Sequence, residues 1–194
     1  MADFSIISDV SNEVLKLLRE NICPELIQSQ ESIALASPAD KNADFQLGLY
    51  LYDIQELREY QQLDMIRMKG NQAQYPPKPL NLFFALFINT RSQLMSSVEN
   101  EQRILGRSMQ VLMDHSILYG TSEEDEAASS ITLLPLSFEE KTKIWSVLSL
   151  PYQLGIYFSV APVLLSSRRI RSFKRVVAAD FDVAQSRAAD RRRV

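Results

Sequence analysis

Phe45-Gln46-Leu47-Gly48-Leu49-Tyr50-Leu51-Tyr52-Asp53-Ile54 is the stretch that decides the fold. Side chains of an extended chain alternate between two faces, so Leu47, Leu49 and Leu51 point one way and Gly48, Tyr50 and Tyr52 the other. Neither set is polar. The segment therefore predicts a strand covered on both faces and central in its sheet. Leu80 to Ile88, equally apolar, predicts a second strand.

Helices and further strands follow on either side. Ile7, Val10, Val14, Leu17 and Leu18 recur at helical spacing, which predicts an amphipathic helix from about Ser5 to Asn21, closed by Pro24. A short strand fits Ser32 to Ala36. Between the two long strands, Gln55 to Lys78 is polar and ends in Tyr75-Pro76-Pro77-Lys78-Pro79. Fixed φ angles and missing N–H donors there favour extended backbone outside a ladder. A connection of this length is uncommon in a compact domain and is often functional, so it reads as a candidate binding arm.

Downstream, Ser96 with Glu99 has the pattern of a capping box. Val98, Leu105, Met109 and Leu112 then continue at helical spacing to about Ile117, the longest predicted helix. Gly120 to Ser130 carries Glu123, Glu124, Asp125 and Glu126, a solvated acidic loop. Ile131 to Leu134 is a short strand. Ser137 and Glu140 make a second capping box, opening a helix through Ile144, Trp145 and Leu148 that Pro151 ends. Tyr152 to Leu165 and Arg168 to Ala179 read as two strands joined in a hairpin near Ser166-Ser167. No internal repeat is present. The order predicts an α/β (α+β) fold with a single mixed, largely antiparallel sheet covered by helices. One domain is expected over residues 1–181, with a basic tail over 182–194.

Composition agrees with one globular core: 194 residues, 46% hydrophobic, 23% charged, with five glycines and eight prolines. Cys23 is the lone cysteine, and Met1-Ala2-Asp3-Phe4 lacks the basic and apolar regions of a secretory signal, so synthesis in a reducing cytoplasm is expected. Ser146 to Ser167 is uncharged over 22 residues, long enough to cross a bilayer. Pro151, Pro162 and a Tyr, Phe and Val content suited to strands argue against a span. The net charge is −3, but nine Lys and Arg against three Asp from Arg168 onward give +6, leaving −9 on the preceding residues. Such a basic end suits an acidic partner, a neighbouring copy or nucleic acid, or is a solvated strand edge and tail.

Catalytic patterns are missing from the sequence. His115 is the only histidine, and one Cys with one His cannot supply the usual zinc ligand sets. At the end of an apolar helical run, His115 can simply satisfy backbone carbonyls. Glycines at 48, 70, 106, 120 and 155 are too dispersed for a phosphate-cradling loop. Asp40 and Asp44 lie in a polar stretch where carboxylates are solvated. Gly106 reads as a site of close helix packing and Trp145 as core. No enzyme activity, cofactor or metal is expected.

Leu35-Ala36-Ser37-Pro38-Ala39-Asp40 followed by the Phe45–Ile54 strand resembles the opening of a family long catalogued as a domain of unknown function. Ile104-Leu105-Gly106-Arg107-Ser108-Met109-Gln110-Val111-Leu112, Lys143-Ile144-Trp145-Ser146-Val147-Leu148 and Gly155-Ile156-Tyr157-Phe158-Ser159-Val160-Ala161-Pro162-Val163 continue that likeness from about Asp3 to Phe181. The family is similar to the N-terminal domain of the cap protein of antifeeding-prophage-like extracellular contractile injection systems. The resemblance implies a tail-terminator-like fold and a homo-oligomeric, six-fold ring that ends the inner tube and holds the last sheath ring, without catalysis. Implied partners are the tube protein, the sheath protein and a second cap paralogue, in a particle that is released or membrane-anchored. A neck, baseplate or sheath-adaptor role in the same machine, or a nucleic-acid-binding module, are the alternatives. Nucleic acid is not the expected partner, because stacking aromatics are not interleaved with the basic residues apart from Phe173. The candidate interface residues are Arg168, Arg169, Arg171, Lys174 and Arg175, with Arg191, Arg192 and Arg193 of the tail and Tyr75, Pro76 and Pro77 of the arm.

Overall fold

The computed structural model describes residues 4–40, 44–60, 64–68, 71–91, 97–119 and 128–172. Along the chain run α1 (Ile6–Ile22), β1 (Ile33–Leu35), β2 (Leu47–Glu56), β3 (Ile66–Arg67), β4 (Gln72–Gln74), β5 (Lys78–Ile88), α2 (Val98–Asp114), β6 (Ile117–Leu118), β7 (Ser129–Leu133), α3 (Phe138–Val147), β8 (Gly155–Leu165) and β9 (Ile170–Ser172). The main sheet has the order β1-β2-β5-β8-β7-β6, and every pair is antiparallel except β1 with β2. The fold is thus α+β, with a mixed, mostly antiparallel sheet. In addition, β3, β4 and β9 form a small antiparallel sheet.

β5 and β8, each 11 residues long, occupy the middle of the main sheet. β2 sits one place outward, so the central position expected for it belongs to β5 and β8. Its double covering holds for the first half. On one face, Val14, Leu18 and Ile22 of α1 and Ile104, Leu105, Val111 and Leu112 of α2 pack with Leu47, Leu49, Leu82, Phe84, Leu86, Phe158 and Val160. Phe84 and Phe158 are register partners across β5 and β8, and their rings stack at 5.3 Å. On the other face Phe45, Phe87 and Trp145 form a second cluster beneath α3. Trp145 Nε1 donates to the Tyr157 hydroxyl at 2.8 Å, which satisfies the one polar atom of a buried indole. From Asp53 to Glu56 β2 emerges into solvent.

Backbone carbonyls at element ends are tied by arginines. Arg19 Nε and Nη2 donate to the Ile33 carbonyl at 3.0 and 2.7 Å, fixing α1 to β1, and Arg107 Nε donates to the Asn21 carbonyl at 3.2 Å, fixing α2 to the end of α1. The Ser137–Glu140 capping box forms as expected: the Glu140 N–H donates to Ser137 Oγ, and the Ser137 N–H donates to Glu140 Oε2 at 2.8 Å. The Ser137 hydrogen bonds hold the Glu140 carboxyl below its ordinary range. α2 instead begins at Ser97, whose Oγ accepts from the Asn100 N–H, so the cap lies one residue beyond the expected Ser96, itself outside the described residues.

Several expectations are corrected. α1 and α2 are equally long, at 17 residues each. Leu105 and Leu112 of α2 are buried, but Val98 and Met109 are exposed, because the inward stripe runs through Ile104, Ser108 and Val111. The Gln55–Lys78 connection is not wholly outside a ladder: it contains β3 and β4, and Lys78 and Pro79 already pair with Leu165 and Leu164. Ser166-Ser167 is not a hairpin, since β8 and β9 belong to different sheets. The serines lack the glycine that tight two-residue hairpins favour. The acidic residues 123–126 lie outside the described residues.

Two glycines give opposite expectations. A Cβ on Gly48 would sit 2.4 Å from Phe87 Cζ and 2.7 Å from Phe45 Cε2, two rings locked under Trp145, whereas a Cβ on Gly106 would meet open space. Gly106 is thus no close-packing site. Gly48→Ala is expected to destabilise by about 1–3 kcal/mol through overpacking, and Gly106→Ala to stabilise by up to about 1 kcal/mol through helix propensity, read by denaturant unfolding. Tyr52 gives a pH dependence. Burial, with smaller contributions from the charges of Asp53, Tyr157 and Glu140, pushes its phenol from an ordinary 10.0 up to about 12. The fold favours the neutral phenol, so this stability is complete below pH ~10 and is lost as pH rises toward ~12. The melting temperature should fall over that window, and less steeply in Tyr52→Phe.

Candidate assembly interface

The arm and the basic segment, about ninety residues apart in sequence, meet in space. Gln74 is opposite Ile170 in the small sheet, and Lys78 is opposite Leu165 in the main sheet. Both ladders are antiparallel and involve the same two chain segments. β4 to β5 and β8 to β9 are therefore one two-stranded ribbon, split at a joint where Tyr75-Pro76-Pro77 faces Ser166-Ser167-Arg168-Arg169. Pro76 and Pro77 have no N–H to give to a ladder, which breaks the pairing there. The joint has one more residue on the second strand than on the first, so the register slips by one across it.

Side chains and backbone hold the joint together. The Tyr75 N–H donates to the Arg169 carbonyl at 3.1 Å, and Gln74 Nε2 donates to the Ser167 carbonyl. The Arg169 N–H donates to Ser167 Oγ at 3.2 Å. The Arg169 guanidinium lies over the Tyr75 ring, 4.6 Å from its centroid, and that of Arg168 lies 5.7 Å from the Phe4 centroid. Close by, Lys78 Nζ and Glu56 Oε1 are 3.0 Å apart. Arg168, Arg169 and Arg171 are all exposed, while Tyr75, Pro76 and Pro77 are half-buried. The result is a basic, solvent-facing ledge at one end of the main sheet.

Five of the expected interface residues, Lys174, Arg175, Arg191, Arg192 and Arg193, lie outside the described residues. The other six are brought together. What the sequence reading missed is β4: in Gln72-Ala73-Gln74 only Ala73 is buried, a three-residue alternation too short to stand out. It also missed exposed apolar side chains on the helices, namely Met113 of α2 and Phe138 and Val147 of α3.

The titratable residues singled out in the sequence have structural surroundings among the described residues. His115 caps α2, with Nδ1 3.1 Å from the Val111 carbonyl, the backbone role that its position suggests. Burial pushes the Cys23 thiol up, only partly opposed by Arg19, which leaves it protonated and a poor nucleophile. Among the described residues no group of three or more His, Cys, Asp or Glu could hold a metal ion, and no helix is long and apolar enough to cross a membrane.

The stacked pair at the joint can be tested through coupling. A double-mutant cycle on Arg169→Ala and Tyr75→Ala should return an interaction of about 0.5–1 kcal/mol in urea unfolding, the range of an exposed cation–π contact. Additive losses would show that the stacking does not tie the arm to the basic segment.

A family model described as the Pvc16 N-terminal domain matches residues 9–179. No curated protein matches the sequence. Among solved structures, the sheath/tube terminator of PVC, an extracellular contractile injection system, in its extended state is similar with a TM-score of 0.68 and 17% identity, over 98% of this chain and 67% of that one. The tube-terminating cap of the anti-feeding prophage is similar with a TM-score of 0.58 and 15% identity, over 91% of this chain and 61% of that one. This chain thus spans only about two thirds of the length of either. At such identities the likeness shows a shared tail-terminator fold, and the sequence match shows the family: this chain belongs to the Pvc16 N-terminal domain family.

Proposed function

We propose that this chain is a structural subunit of a contractile injection particle that ends the inner tube, closing as a six-fold ring on the last tube layer and holding the terminal sheath ring. The observation that carries this reading is the likeness, over 98% of the chain, to a sheath/tube terminator. The physical design is consistent with it. A ring subunit has to transmit load without deforming, and a sheet filled on one face by two helices and on the other by an aromatic cluster is stiff. It also has to present different surfaces to the tube, the sheath and its neighbours, and the basic ledge around Arg168, Arg169 and Arg171 is one such surface.

Partners in this reading are further copies of the chain, the tube protein, the sheath protein and a second cap paralogue. Assembly takes place in the cytoplasm, and the particle is then released or anchored. No catalysis is required. The rings beside the arginines, Tyr75 and Phe4, already stack against Arg169 and Arg168, so they are poor platforms for nucleic-acid bases.

Tube growth tests the reading. Purified chain added in excess to polymerising tube protein should stop elongation and shorten the tubes seen by electron microscopy. Light scattering of the free chain at high concentration should approach about six times the 22.1 kDa chain mass. Tubes of unchanged length would contradict the proposal.

A further inference from the structure

Among the described residues, β2 is paired along only part of its outer edge. β1 pairs with it at Leu47, Gly48 and Leu49, and the Ala36 N–H donates to the Leu49 carbonyl. Beyond that point, from Leu51 to Glu56, no strand pairs with this edge among the described residues. The hydrogen bonding marks it as an edge. The Ile54 N–H donates to Asp53 Oδ1 at 2.9 Å rather than to a strand, and Asp53 Oδ2 accepts from Gln55 Nε2 at 2.7 Å. A charged side chain on an exposed edge is one of the devices that limit indiscriminate pairing.

β9 is also an edge, paired with β4 alone among the described residues. The two edges are opposite in charge. The β2 edge and the turn after it hold Asp53 and Glu59 against Arg58, with Glu56 already paired to Lys78, whereas Arg168 to Ser172 holds three arginines and no acid. Each edge carries an exposed isoleucine, Ile54 within β2 at 43% and Ile170, the first residue of β9, at 51% exposure. Ile170 is flanked on both sides by arginine. If Ile170 lies opposite Ile54, an arginine falls opposite Asp53 whether the strands run parallel or antiparallel.

We infer that the outer edge of β2 around Asp53, Ile54 and Glu56 accepts β9 of a second copy of this chain by strand addition, with Ile170 against Ile54 and Arg169 or Arg171 against Asp53. Opposite charges directly across a strand pair favour it, and main-chain hydrogen bonds supply the docking. Two different edges of one chain are used, so the contact is head to tail, the kind that generates rings or filaments rather than closed dimers. The inference rests on the proposed assembly of copies and names the surfaces that would join them.

Cross-linking tests it in the full chain carrying Cys23→Ala. Ile54→Cys and Ile170→Cys variants are prepared separately and mixed under mild oxidation. Residues directly opposite in a ladder have Cα atoms ~4.5–5.5 Å apart, within disulfide reach. The mixture should yield a linked dimer that neither variant forms alone, and the double variant a ladder of linked copies. As a second reading, Asp53→Lys and Arg169→Glu/Arg171→Glu should each weaken association about tenfold or more at low salt, and combining them in one chain should restore it. No cross-link in the mixture, equal cross-linking of either variant alone, or failure of the charge swap to restore association would each overturn the inference. Rings that form without the Ile54–Ile170 link would overturn the edge pairing while leaving the tube-ending role standing. Cross-linked copies that leave tube growth unaffected would support the pairing and count against that role.

Discussion

The antiparallel ladder between Lys78–Ile88 and Gly155–Leu165 is the constraint on which the rest of the structure depends. Its two strands bring the longest apolar runs into register, stack Phe84 on Phe158, and present one face to two helices and the other to Trp145. Every other strand of the main sheet is added outward from this pair. The same two segments, continued past the prolines, make the small sheet, so the direction of the central ladder also sets where the basic ledge stands. Substitutions that disturb the ladder should therefore affect core and surface together, while those on the ledge should leave the core intact.

Proline places the basic ledge. A ribbon that ran unbroken from β4 into β5 would keep its arginines within the main sheet. With Pro76 and Pro77 at the joint, the ladder stops and resumes one residue out of step, and Arg169 turns over Tyr75. The cation–π contact and the Tyr75 N–H bond then tie two distant stretches of chain at the point where the ladder is interrupted. Backbone chemistry and surface electrostatics are in this way coupled at one place.

Much of this was legible in the sequence, for physical reasons that can be named. α1, β2, β5 and α3 carry their own periodicity or capping residues, and the Ser137–Glu140 box formed where its spacing put it. The three-residue β4 and β9 have no periodicity long enough to read, and only their partner across the ribbon defines them. The hairpin at Ser166-Ser167 failed because local sequence gives no sign of a partner lying ninety residues upstream. Val98 and Met109 misled because a helical stripe can be drawn through them that differs from the stripe the sheet selects. For the candidate interface, composition showed the basic excess and the proline arm separately. Their contact became visible only in three dimensions.

In the proposed function this chain occupies the end of a tube. Electron microscopy of tubes assembled in the presence of the purified chain, averaged over their ends, tests this most directly. A six-fold layer is expected at one tube end, into which the α+β fold with its β5–β8 ladder can be fitted. Bare ends, or the chain distributed along the tube wall, would contradict it.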